Sequence, residues 1–448
     1  MKQVKRTELD LVHGTIADKL LLIALPLAAT GFLQQLFNAA DVAVVGRFVG
    51  EEAMAAVGGN APVIGLLVNL FVGVSLGTNV LISQYIGQQN RENIRKAVQT
   101  SVIIAVAGGI VFSIIGELIA PWLLSLLSVP EEVFGMAVTY LRIYFLGLPI
   151  IFLYNFESAI FRAKGDTRTP LLILFASGIL NVGLNLLFVL VLGMDVDGVA
   201  LATLASNLLS ALLLFILLCR SDSDVRLHLD ELDFDPQVLK RILQIGVPAG
   251  VQSMVYSLAN ICIQSAINSL GTTIMAASSA AFNLEIFSYY ILNSFAQAGT
   301  TVVGQNYGAG DIPRCRRTLR LTLLVDAVFT AAACLLILAF SPQLLALFNG
   351  NPDVIRYGTI RLRYIFSSYA FSMLIDVFSG YLRGFGESLL PALATLVCIV
   401  GSRIFWVYVV FPMYRSFATL MLVYPISLGL TAALIVTGWF VLRKKRGF

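Results

Sequence analysis

Residues 83–96 read SQYIGQQNRENIRK, and residues 303–317 read VGQNYGAGDIPRCRR. Shifted by 221 positions, Gln84, Gly87 and Arg95 fall on Gln305, Gly308 and Arg316. The same shift carries Pro121, Leu123 and Leu124 onto Pro342, Leu344 and Leu345, and Arg162, Gly165 and Pro170 onto Arg383, Gly386 and Pro391. Nearer the start the offset is 222, so Pro26 meets Pro248 and Asn38 meets Asn260. The chain is a duplication. A duplicated membrane half is a common architecture of secondary transporters, with the transport path at or within the repeats.

The surroundings of that stretch decide the class. Of 448 residues, 58% are hydrophobic and 12% charged, with a mean hydropathy of +0.86. About 20 consecutive apolar residues make one spanning helix. Twelve such blocks follow one another, from residues 20–45 to residues 419–442. The expected fold is an all-α integral membrane protein of twelve transmembrane helices in two six-helix lobes. Six spans per half is an even number, so both copies enter from the same side and form a parallel internal repeat. Residues 220–241 (RSDSDVRLHLDELDFDPQVLKR) carry dense charge and read as a linker between an N-lobe, 1–219, and a C-lobe, 242–448.

Basic residues orient the chain. With the N-terminus inside, 23 of 30 Lys and Arg fall on the cytoplasmic side, among them Lys2, Lys5, Arg6, Arg95, Arg316 and Arg443 to Arg446. Both termini are expected in the cytoplasm of a cell whose inner membrane holds the protein. Six arginines flank the outer side (Arg47, Arg142, Arg356, Arg361, Arg363, Arg415), and Arg403 lies inside a span. The net charge of +4 is then a topology signal, and nucleic acid is not an expected partner. Leu9, Val12 and Ile16 sit at helical spacing, so residues 8–18 are expected to form a short helix on the inner surface.

Scattered Cys219, Cys262, Cys315, Cys334 and Cys398 lack zinc or disulfide spacing. No GxxxxGK[ST] loop and no catalytic cluster appear, so the expectation is a non-enzyme without cofactor, not driven by ATP within this chain. His13 and His228 lie outside the spans, which excludes an in-membrane histidine relay. Helix breakers Pro26, Pro62, Pro149 and Pro248 fall inside spans; Pro26 and Pro248 match in the repeat and are candidate hinges.

A duplicated fold needs its packing residues twice, so ionisable groups present in one copy only are the better functional candidates. Asp41 maps to Ile263, Glu285 to Ile64, Asp326 to Ala105, Asp376 to Asn155, Glu157 to Phe378 and Arg403 to Val182. In-membrane charges are costly and tend to serve a pathway. Gln34, Asn38 and Asp41 share a helix face, as do Ser177, Asn181 and Asn185, and Thr203, Asn207 and Ser210. Three polar stripes and one carboxylate would enclose a small hydrated chamber for a proton or Na⁺; for single amides, interhelical hydrogen bonding is the simpler reading. In the second half, Glu285 and Asp376 stand among aromatics such as Tyr256, Tyr289 and Tyr290, a setting for a lipophilic cation. Asp326 and Glu157 are expected either to pair with Arg403 or to lie near the membrane interface.

The chain resembles the multidrug and toxic compound extrusion (MATE) family of the MOP flippase superfamily. The resemblance covers essentially the whole length. It rests on FNAADVAVVGRFVG at 37–50, the two loops quoted first, FRAKGDTRTPLL at 161–172 and LRGFGESLLPAL at 382–393. It implies alternating access in a monomer and antiport of organic cations or amphipathic drugs against H⁺ or Na⁺. It also implies a cation site in which Asp41 is the span 1 carboxylate, Asn181 the span 5 amide and Thr203 the span 6 hydroxyl; Asn38, on the same helix face as Asp41, is added to it as a candidate. Asn185 stands where the family commonly has Asp, leaving Asp41 as the lone charge. Gln34, Tyr256, Glu285 and Asp376 are the candidate substrate contacts. A flippase for lipid-linked or polysaccharide precursors is the alternative. Its cavity would need several Arg and Lys, and only Arg403 lies within a span.

Overall fold

The computed structural model describes residues 9–127, 129–230 and 232–447, and they are mostly helical. Lys2, Lys5 and Arg6 lie outside the described residues. The first copy runs through α1 (Ala17–Phe48), α2 (Glu51–Gly87), α3 (Arg91–Leu126), α4 (Glu131–Leu146), α5 (Leu148–Ala163), α6 (Arg168–Leu186) and α7 (Val196–Cys219). The second runs through α8 (Pro236–Asn268), α9 (Thr272–Gly308), α10 (Ile312–Ala339), α11 (Ser341–Ala346), α12 (Pro352–Ser367) and α13 (Tyr369–Gly384). It ends with α14 (Leu389–Thr395), α15 (Gly401–Phe405), α16 (Phe411–Met413), α17 (Phe417–Met421) and α18 (Val423–Arg446). π-helical turns follow α6 at Leu187–Val191 and flank α15 at Leu396–Val400 and Trp406–Val410.

Among the described residues, nine helical stretches, and the bent pairs α4–α5 and α12–α13, are long and apolar enough to span a bilayer. The remaining expected span is α9, which forms as 37 residues but buries Ser278, Glu285, Ser288, Thr300, Thr301, Gln305 and Asn306. Its polarity faces protein, where backbone and side chains can be satisfied. The protein is therefore a multi-pass, all-α membrane protein of twelve spans.

The repeat extends to details of the backbone. Asn90 caps α3 by accepting from Asn93 N at 3.1 Å, and its equivalent Asp311 caps α10 by accepting from Arg314 N at 2.8 Å. The residue before each cap has positive φ: Gln89 at 54° and Gly310 at 80°. Only the second copy supplies the glycine that this conformation favours. Span 4 bends by 49° at Gly147 and span 10 by 44° at Ser368, 221 positions apart. Pro149 cannot be the sole cause of the bend, because Ala370 holds its place in the second copy.

Contacts divide the chain into two compact units, one of Ala29–Leu243 and one of Asp10–Ala28 with Gln244–Phe448. Residues 10–28 thus group with the second copy, and residues 220–241 with the first. Val225 and Leu227 of that polar segment are buried, and Asp235 caps α8 through Gln237 N and Val238 N. Pro26 and Pro248 each lie inside an unbroken helix, within a few residues of where that helix passes from one unit to the other.

The short helix expected over 8–18 does not form across the described residues 9–16. Asp10 accepts from Val12 N and His13 N at 3.0 and 3.1 Å, and Gly14 adopts φ 78°, so the chain turns before α1 begins. Of the apolar residues at that spacing, Ile16 is buried, and so is Leu11 beside Val12. Leu11 is fully buried, and its carbonyl accepts from Asn306 Nδ2 at 3.1 Å.

Candidate functional site

In the first unit, the close approach of α1 and α6 builds the site. Gly178 makes it possible: a Cβ there would fall 1.9 Å from ring atoms of Phe37. One turn further along α1 and two turns further along α6, Asn185 Nδ2 donates to Asp41 Oδ1 at 2.5 Å. From α7, the Thr203 hydroxyl lies 3.4 Å from Asp41 Oδ2 and 3.0 Å from the Val199 carbonyl, so one proton serves two acceptors. Asn181 Nδ2 reaches Thr203 Oγ1 at 3.4 Å, and its Oδ1 accepts from Asn185 at 3.3 Å. Asp41 is 8% exposed and Asn185 fully buried. Asn185 Oδ1 is buried without a hydrogen-bond partner among the described residues. Asp41 therefore faces neutral donors only, and an unused acceptor lies beside it.

Asn38 and Gln34 share the α1 face with Asp41, but both are exposed, and Asn38 makes no hydrogen bond among the described residues. Below the site, Ser210 Oγ donates to Ser177 Oγ at 2.6 Å, and Asn207 donates back to the Thr203 carbonyl at 2.9 Å. These two contacts are interhelical and local glue. Asp41, Asn185, Thr203 and Asn181 form the cluster.

The second unit departs from a bare carboxylate wall. Glu285 is gripped by Arg361, with Nη2 to Oε1 at 2.8 Å and Nε to Oε2 at 3.3 Å, and both residues are buried. A carboxylate engaged at both oxygens has no free charge for a cation unless that pair opens. Arg361, read from sequence as an outer flank, is instead an interior partner. Its repeat equivalent, Tyr140, gave no hint of a charge there. Tyr369 also donates to the Glu285 carbonyl at 3.0 Å. Asp376 is half-buried on α13, and Tyr256 on α8 lies within electrostatic reach of it.

Arg403 pairs with neither Asp326 nor Glu157, contrary to the sequence expectation. Asp326 accepts from Thr330, its own next turn, at 2.7 Å, and Glu157 is fully buried with no partner for either oxygen among the described residues. Arg403 instead donates to Asn260 Oδ1 at 2.6 Å and Ser427 Oγ at 3.4 Å, and lies 4.9 Å from the Tyr424 ring centre.

Comparison with known proteins bears directly on this layout. The MatE family model matches residues 26–187 and again 248–409, two copies offset by 222. The chain belongs to the MatE family. A relative, "Probable multidrug resistance protein YoeA" of Bacillus subtilis, is 28% identical over 86% of this chain and 84% of its own. Another, a "FAD transporter" of Shewanella oneidensis, is 23% identical over 78% of each. A solved MATE protein in complex with MaL6 covers 100% of both chains with a TM-score of 0.91 at 22% identity, a likeness of fold. Both MatE segments end within a π-turn, the one after α6 and the one after α15, so each contains one of the two polar clusters apart from its sixth-span residues.

Proposed function

We propose that the protein is a secondary active multidrug exporter of the bacterial inner membrane, with both termini cytoplasmic, exchanging an outgoing amphipathic drug or organic cation for H⁺ or Na⁺. The observation that carries this reading is Asp41, buried against Asn185 and Thr203 with no basic partner among the described residues. A lone buried carboxylate is expensive unless a cation or proton neutralises it. Asn185 fits both states. Its Nδ2 donates to the bare carboxylate, and its unused Oδ1 would accept from the acid after an amide turn, or ligate Na⁺ together with Asp41 and Thr203 Oγ1. Thr203 would turn its hydroxyl hydrogen bond to the Val199 carbonyl, keeping its proton, when Asp41 no longer accepts it.

Ion binding at this cluster would alter how α1 packs on α6 and α7, and Pro26 would let the helix respond. Coupling then arises because drug and ion prefer different conformations; a ligand shifts an equilibrium only through such a difference. Support for drugs as cargo comes from the name of the YoeA relative. In proteoliposomes, Asp41→Asn should abolish efflux of a cationic dye driven by either a proton or a sodium gradient, and unchanged efflux would remove Asp41 from the mechanism. Running the two gradients separately on the unaltered protein identifies the coupling ion.

A further inference from the structure

Asn260, Tyr424 and Ser427 are the repeat equivalents of Asn38, Thr203 and Ser206, and Arg403 that of Val182, which neighbours Asn181. The second copy has therefore rebuilt the region of the Asp41 cluster with the opposite charge. Where the first copy offers a carboxylate to neutral donors, the second offers a guanidinium to neutral acceptors.

Charge is not balanced there. Arg361 and Arg403 both lie against the Tyr424 ring, at 5.9 and 4.9 Å, and Glu285, the carboxylate that meets Arg361, has both oxygens committed to it. Arg403 is 2% exposed, and among the described residues its hydrogen bonds go to Asn260 Oδ1 and Ser427 Oγ, with the Tyr424 ring against it. Among the described residues it makes no salt bridge, and its Nη2 makes no hydrogen bond. A buried guanidinium with neutral partners has unused capacity for a bidentate anion. Its cover is thin. Asn260 is exposed on α8, with Leu258 and Ile261 exposed beside it, so rotation of one amide opens the guanidinium next to an apolar surface.

We propose that Arg403, gated by Asn260 and backed by Tyr424, binds the anionic group of a transported amphipathic molecule, a carboxylate or a phosphate. The cargo class of the exporter reading, on which this inference rests, then extends to anionic and zwitterionic compounds. An internal acid at Asn260 should occupy the site in place of the cargo.

Equilibrium binding without any gradient tests this on the full chain in phosphatidylcholine nanodiscs. Two dyes share one ring system: carboxyfluorescein, an anion, and rhodamine 6G, a cation. Arg403→Gln and Asn260→Asp should each weaken carboxyfluorescein binding by about tenfold or more while changing rhodamine 6G by less than about twofold. Asn260→Asp gives Arg403 a carboxylate and should melt no lower than wild type, so its loss of anion binding cannot be blamed on misfolding. Equal losses for both dyes, or no loss for carboxyfluorescein, would overturn the proposal. Phosphatidylglycerol forms the second arm. If that lipid suppresses carboxyfluorescein binding to wild type, and is retained by wild type but not Asn260→Asp in native mass spectrometry, the occupant is a lipid headgroup and the cargo assignment falls. Failure of ion coupling at Asp41 would leave these binding ratios intact, and the reverse also holds.

Discussion

At the scale of single residues, this protein shows how much the partners of a charge matter beyond its burial. Asp41 and Glu285 are both 8% exposed carboxylates inside helical spans. Asp41 meets an amide and a hydroxyl; Glu285 meets a guanidinium at both oxygens. In the proposed mechanism the first exchanges a cation, whereas the second is held as a brace. Replacing Glu285 by Gln should strand Arg361 in the interior and destabilise the protein by about 3–5 kcal/mol, whereas the double change Glu285→Gln with Arg361→Met should recover most of that loss. Chemical denaturation in detergent would measure both. Sequence asymmetry between the copies was enough to single out both acids. It could not tell them apart, because the partner of Glu285 lies 76 positions away on a bent helix.

Among the elements, close helix approaches position the cation cluster. Gly178 brings α6 against Phe37 of α1, and a methyl group there would force the ring to turn or the helices to part. Gly178→Ala should cost about 1–3 kcal/mol of stability by overpacking and reduce ion-coupled efflux, since Asn185 then no longer reaches Asp41. Adding Phe37→Leu should restore part of both; a double-mutant cycle on melting and transport reads the coupling. The bends at Gly147 and Ser368 carry a related lesson. A proline signalled only one of them, and the other came from packing that the local sequence does not disclose. The segment 9–16 is a further case, where helical spacing of apolar residues did not produce a helix.

Across the whole molecule, duplication sets the topology. An even number of spans per copy requires both termini on one side, and the basic bias predicts that this side is the cytoplasm. A fluorescent protein that folds only in the cytoplasm should report signal when fused after residue 448. Alkaline phosphatase, active only outside, should report signal when fused at residue 130. The opposite pattern would invert the orientation. The contact units cut the chain differently from the repeat: Asp10–Ala28 groups with the second copy, although it precedes the first. Helices α1 and α8 each belong to both units, and each carries one of the matched prolines, Pro26 and Pro248.

Apolar run length, repeat offset and charge bias are local or periodic properties, so the chain alone determined the all-helical membrane class, the twofold parallel repeat and the identity of the odd charges. Pairing is not local. Which helix faces meet depends on small residues such as Gly178, on bends and on π-turns whose cause lies in neighbouring helices. Only the tertiary structure could decide that Asp41 sits with Asn185 and Thr203, that Arg361 silences Glu285, and that Arg403 has no salt-bridge partner among the described residues.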